Sequence, residues 1–333
     1  MKTKRRMTKK WSAYLTAAVL GALFVAGQAR TESKHVLAAG SAVVAQETFS
    51  SPTDAADALQ QAIKSDDENA LSAILGPDGK TVLNSGDPAE DKAALQAFAR
   101  KYDRMNRLVA MTDGSQMLNI GADNYSFPIP LVKNGSSKWY FDTKAGANEI
   151  LARRIGENEL LAIDAISSIG TAEDIYFRKH HNGQPKHEYA AQIISAAGKQ
   201  DGLYWETPID EETSPLVRLN EFAAIDVSVT PGAPFVVDGY SYRILAKQGD
   251  KAEGGAQSYI TDGKMSGGFA IIASPVTYLD SGIMTFIMNR EGVVYQRDLG
   301  PRTSELAASM KEYNPSDDWI PVEQVAVVRD LSR

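Results

Sequence analysis

The chain of 333 residues contains no cysteine and only four histidines. Without cysteine there are no disulfides, no thiol nucleophile, no thiolate metal site and no lipid anchor through a cysteine, so the fold is held by its packed core. Positive charge is scarce once the first 45 residues are set aside. That leader carries eight of the 35 Lys and Arg and one acid, Glu32, which leaves 27 basic against 41 acidic residues and a formal charge of −14. A surface of that sign repels nucleic acid and anionic lipid headgroups. No basic run with interleaved aromatics offsets it, so a nucleic-acid role is excluded. Long hydrophobic runs are also missing, with one exception near the start.

That exception is WSAYLTAAVLGALFVA, Trp11 to Ala26, preceded by Lys2, Lys4, Arg5, Arg6, Lys9 and Lys10. A charged leader ahead of an apolar stretch too short to span a bilayer comfortably reads as a secretory signal. Cleavage is expected after Ala29 or Ala45, with Ala45 preferred, and no stable membrane span remains after it. The protein is accordingly expected in the periplasm or secreted. An uncleaved anchor is the competing reading. Arg5-Arg6 suggests twin-arginine export, but the MTKK that follows fits that signal poorly.

The mature chain of some 288 residues is long enough for one large or two ordinary domains. Its first part, residues 46–144, opens with helix punctuation. Ser51 can cap, Pro52 suits a first turn, and Ala56, Leu59 and Ile63 recur at helical spacing. A second helix is expected over Glu68 to Leu75, closed by GPDG, and a third from Glu90 to about Asn106. Strand-like runs follow at Leu108 to Thr112, Gln116 to Ile120, Tyr125 to Val132 and Lys138 to Asp142. In the last, Trp139 and Phe141 share one face and Tyr140 takes the other. Helices followed by an antiparallel meander make an α+β unit.

The second part, residues 145–333, begins with a helical stretch from Ala145 to about Lys179, read as two successive core helices with a break at Gly156. Arg153 and Arg154 are read as a solvated face rather than an anion site. His180, His181 and His187, with Glu188, invite a metal reading. Adjacent His180 and His181 project in different directions, however, and no i, i+4 pair exists, so no metal site and no cofactor are expected. Asp201, Glu206, Asp210, Glu211 and Glu212 are read as a flexible acidic loop rather than a calcium or acid/base site. The remainder is β-rich: Gly239 to Leu245 alternates, Phe269 to Val276 is an apolar run, and Gly282 to Asn289 with Val293 to Asp298 forms a hairpin across NREG. Arg290, Glu291 and Arg297 fit turn and outer-face positions, and a helix over Arg302 to Tyr313 can close the domain.

No spacing of nucleophile, base, metal ligand or phosphate loop stands out. The candidate binding residues are therefore Asp201, Tyr204 and Trp205 in DGLYWETP, large rings between Gly202 and Pro208 with no helix or strand period. Two readings stay open: a loop aromatic exposed for a partner, or Trp205 plugging the sheet over Phe269 to Asp298.

An Ala-rich helix, the AILGPDG helix and the KWYF strand together resemble the cone-shaped fold of nuclear-transport-factor-like domains. That likeness implies a pocket in the front half, of the kind that enzymes of the group line with Asp, His or Tyr. The ordered blocks FSSPTDAADAL, AILGPDG, FPIPLV, WYFDT, GKQDGLYW, GYSYRIL, MSGGFAIIASP, SGIMTFIMN and GVVYQRDLGP resemble the bacterial family filed as domain of unknown function 2950 over essentially the whole mature chain. The back half is also similar to pilin and pseudopilin globular domains, although it lacks their processing site and continuous hydrophobic helix. The expectation is an exported α+β envelope protein, a non-catalytic binding or assembly-support protein whose partner is an envelope protein or small ligand. The alternative is a hydrolase or isomerase working in the front half.

Overall fold

A computed structural model describes residues 45–84, 88–179, 187–205, 213–218 and 235–322. The chain divides into two compact units, one up to Ile150 and one from Leu151. Residues 1–44, with the apolar stretch and the Ala29 site, lie outside the described residues, whereas Ala45 and Gln46, which flank the second expected site, lie within them.

In the first unit the helices are α1 (Pro52–Lys64), α2 (Glu68–Leu75), α3 (Gly79–Leu83) and α4 (Pro88–Arg104). The strands are β1 (Asn106–Ala110), β2 (Gln116–Ile120), β3 (Tyr125–Ser126), β4 (Leu131–Lys133) and β5 (Trp139–Phe141). The start of α1 is set locally: the Ser51 hydroxyl accepts from Asp54 N–H at 3.0 Å, while Asp54 accepts from Ser51 N–H at 3.1 Å. The strands form an antiparallel sheet in the order β1-β2-β4-β5, with β3 beside β2. The run expected over Tyr125 to Val132 is broken into β3 and β4, because Pro128 and Pro130 between them have no N–H to give a ladder. On β5, Trp139 and Phe141 are buried and Tyr140 is half-buried, the expected alternation. Phe98, Phe127 and Phe141 meet edge to face, centroids 5.1 and 6.1 Å apart, and fill the interior against α4.

The helix α5 (Thr143–Phe177) is continuous over 35 residues, which corrects the expected break at Gly156. A helical glycine costs only about 1 kcal/mol relative to alanine, and long-range contacts on either side outweigh it. Ala162, Ala165, Ile166, Ile169, Ala172 and Tyr176 form its buried stripe in the second unit. At Gly170 the helix comes so close to the Met288 side chain that a Cβ there would collide with it.

The second unit also contains α6 (Pro215–Arg218), β6 (Phe235–Val237), β7 (Tyr240–Leu245), β8 (Lys247–Gln248), β9 (Gln257–Ser258), β10 (Ile260–Thr261) and β11 (Lys264–Met265). After these come β12 (Ala270–Pro275), β13 (Met284–Asn289), β14 (Val294–Asp298), α7 (Thr303–Ser309) and β15 (Ile320–Pro321). Its main sheet runs β15-β14-β13-β12-β7-β6, all antiparallel. The apolar run AIIASP is a central strand buried on both faces, which explains its lack of alternation. Ile271 and Ala273 face the core shared with α5, Tyr240 and Phe286. Ala270 and Ile272 face a smaller core with Leu245, Ile287, Tyr313 and Trp319. The closing helix is shorter than expected: α7 stops at Ser309. The chain then runs extended, with Tyr313 N–H donating to Lys247 O at 3.0 Å and Gly249 N–H to Tyr313 O at 2.9 Å. Arg243, whose pKa burial holds down, donates to the carbonyls of Ala307 and Met310 at 2.8 Å each and so closes the end of α7. Among the described residues no helix is long and apolar enough to cross a membrane.

Candidate functional site

The residues singled out by the sequence sit in an irregular segment, 187–205, packed on the core of the second unit. Asp201 Oδ1 accepts from Ala196 N–H at 2.8 Å and from Gln192 Nε2 at 2.9 Å, which closes the turn over residues 196–201. Ser195 Oγ accepts from Gly202 N–H, and the Tyr176 hydroxyl donates to Gln200 O at 2.7 Å. Tyr204 is half-buried and bridges to Ile194, while Trp205 is 8% exposed and belongs to the cluster that contains Phe269, Phe286 and Met288. Of the two readings of Trp205, the structure holds the ring in the core rather than on a loop surface. The carboxylate and both rings are occupied by contacts within the segment and the core.

The other sequence candidates scatter. His187 Nδ1 lies 2.7 Å from Phe177 O with its ring tilted against the Phe177 ring; His180 and His181, like Glu206, Asp210, Glu211 and Glu212, lie outside the described residues. Among the described residues no group of three or more His, Cys, Asp or Glu is placed to hold a metal. Arg154 is bonded to the Asp280 carboxylate. In the first unit the Tyr102 hydroxyl donates to Asp57 at 2.7 Å and ties α4 to α1; burial, then this hydrogen bond, pushes its pKa up, so the phenol stays protonated and does not serve as a base.

A concave feature with polar and charged lining lies where the sequence singled nothing out. A cleft of about 420 Å³ opens on the smaller core of the second unit, between the sheet and the extended chain that follows α7. Its size falls within the usual range for small-ligand sites. The floor is apolar: Ile287, Met310 and Trp319. Trp319 is fixed at the end of a turn by its N–H bond to Ser316 O at 2.8 Å. Two cations reach the rim. Arg297, on β14, is half-buried and bonded to the exposed Asp318 at 3.2 Å. Such a pair contributes about 0 to 1 kcal/mol and exchanges readily. The Lys311 ammonium donates to the Ala308 carbonyl at 3.1 Å. The rim carboxylate of Glu312 is neutralised by Lys247 at 3.2 Å. Ser309 Oγ donates to Leu306 O. The arrangement suits holding an anion over an apolar floor, and among the described residues that line it no nucleophile is hydrogen-bonded to a base. Lys311 and Trp319 could have drawn notice in MKEYNPSDDW, where Asn314, Pro315 and Ser316 mark a turn. What makes them neighbours of Arg297 is the crossing of that segment over the sheet.

A smaller cleft of about 280 Å³ lies on the other side of the same extended segment, against Tyr295, Tyr313, Glu253 and Glu291. Beneath it the Tyr259 hydroxyl donates to Gln248 Oε1 at 2.6 Å, and burial pushes the Tyr259 pKa up to about 12. Gln248 Nε2 in turn donates to the carbonyls of Glu253 and Gly255, which fixes the 249–255 loop.

Residues 46–322 match the sequence profile of a protein family described as a protein of unknown function, DUF2950. No curated protein and no solved structure matches the chain.

Proposed function

The chain belongs to the DUF2950 family, and from that premise we propose that it is an exported, non-catalytic binding protein of the bacterial envelope whose ligand site is the Trp319 cleft. The observation that carries the reading is the pairing of two cations, Arg297 and Lys311, with an apolar floor in a chain of net charge −7. Local positive charge on an acidic surface attracts an anionic group, and the floor takes an apolar body. The ion pair of Arg297 with Asp318 supports this reading, since it shows the guanidinium accessible to a carboxylate. The leader over the first 45 residues supports export.

Three matched probes test the site: 2-naphthoate, 2-naphthamide and 2-naphthylmethylammonium, titrated calorimetrically into the mature protein at low salt. The carboxylate is expected to bind about tenfold or more tightly than the other two, since each tenfold corresponds to about 1.4 kcal/mol and one charge-assisted bond supplies that much. Arg297→Gln with Lys311→Gln should abolish the preference and leave the melting temperature in place. Equal affinities, or a preference for the ammonium, would remove the assignment. Export is tested separately by mass spectrometry of the mature protein, whose first residue is expected between Arg30 and Glu47; an intact Met1 in the membrane fraction refutes it.

A further inference from the structure

Glu173 is completely buried on the core face of α5, and no cation among the described residues forms an ion pair with it. One carboxyl oxygen, Oε2, accepts from the Ala190 N–H at 2.8 Å; the other, Oε1, meets no partner among the described residues. Asp174 on its own helix adds negative charge beside it, and Tyr176 of the helix and Tyr189 of the packed segment lie near enough to feel its charge; Glu188 and Asp201 stand by Tyr176, and Arg290 and Glu291 of the β13–β14 turn stand by Tyr189. Tyr189 stacks on Phe177, with centroids 4.4 Å apart, and its N–H donates to Met265 O at 2.7 Å, so the adjacent Ala190, which is bonded to Glu173, lies inside a seam between helix and sheet.

We propose that Glu173 is a proton-operated latch that holds residues 187–205 on the core. As a neutral acid it is tolerated in an apolar seam with one hydrogen bond. As a carboxylate with one N–H donor and no counter-ion among the described residues it is not, and access of water relieves it. Burial first, with the neighbouring Asp174 charge adding to it, raises its pKa well above the usual carboxylate range. Of the elements that cover it, α5 and the sheet have continuous backbone ladders, whereas residues 187–205 are joined by scattered single bonds. The irregular segment is therefore the part that opens. Opening would release Tyr204 and Trp205 from the core, as the two large rings that the sequence pattern offered to a partner.

The sign of the linkage makes this measurable. A group with a raised folded pKa contributes its full stabilisation below the unfolded value and loses it as pH rises toward the folded one. The opening equilibrium of the segment should thus rise up to tenfold per pH unit from about pH 5 upward. Amide exchange of Ala190, Leu203 and Tyr204, limited by that pre-equilibrium, should show a slope of log rate against pH near two in the parent. In Glu173→Gln, which keeps every other charge, the slope should be the ordinary value of one. A slope of one in both proteins overturns the latch. Should the variant not fold, the ¹³C shift of the Glu173 carboxyl in the parent decides instead. It must remain at its protonated position after the exposed glutamates have titrated; movement together with them is the refuting result.

Discussion

Trp205→Ala should lower the stability of the second unit by about 3 to 5 kcal/mol, the usual cost of deleting a buried Trp. The ring is 8% exposed and belongs to a core built from α5, β7, β12 and β13, so removing it opens a cavity that these elements cannot close without moving. The segment around it has little to offset the loss, being held by bonds such as Leu203 N–H to Ile193 O at 2.9 Å and Leu216 N–H to Leu203 O at 3.2 Å. Because the chain has two units, the effect belongs to one transition. It is best read by urea unfolding followed through near-UV circular dichroism, with the first unit as internal reference. A shift of less than about 1 kcal/mol would mean that the ring lies at the surface after all.

Glu159→Ala should cost the same unit about 2 to 3 kcal/mol. One carboxylate oxygen accepts from both Ile283 N–H and Met284 N–H at 2.9 Å, at the point where the chain enters β13. Bonds to a charged acceptor contribute about 1.5 to 3 kcal/mol each when buried, and partial solvation of this site reduces their sum. One residue earlier on α5, Asn158 Nδ2 donates to Ser281 O at 2.8 Å, and the Tyr240 hydroxyl donates to Met284 O at 2.9 Å. Gly282 lies between them because a Cβ there would run into the Tyr240 hydroxyl. Glu159→Gln keeps an acceptor and should lose less than half as much. Equal losses for Ala and Gln would show that charge, rather than the two N–H bonds, holds the strand start.

Asn158 and Glu159 on α5 and the SGIM block at the start of β13, more than a hundred residues further along, are thus two sides of one clamp. The sequence displayed both blocks but not their meeting, since a Glu on a helix looks the same whether it faces water or a backbone far along the chain. The same holds for Glu173, which reads as one more acid in TAEDIYF, and for the cleft, where Arg297 reads as an outer-face residue until the chain after α7 crosses over it. The Asp238-Gly239 turn between β6 and β7, with φ of 48° and 74°, was by contrast legible as a hairpin signal, although it was not singled out.

What the sequence by itself determined is local. It specified the start of α1 through Ser51, Pro52 and Asp54, the bounds of α2, the outward Tyr140 between Trp139 and Phe141, and the hairpin of β13 and β14. Each of these depends on side chains and backbone groups within a few residues of one another. Only the tertiary structure decided that α5 runs unbroken through Gly156, that Trp205 is core, that α7 ends at Ser309, and that Arg297, Lys311 and Trp319 share a cleft. Burial and long-range hydrogen bonds outweigh a propensity of about 1 kcal/mol, and they depend on which segments meet in space, which a pattern along the chain does not encode.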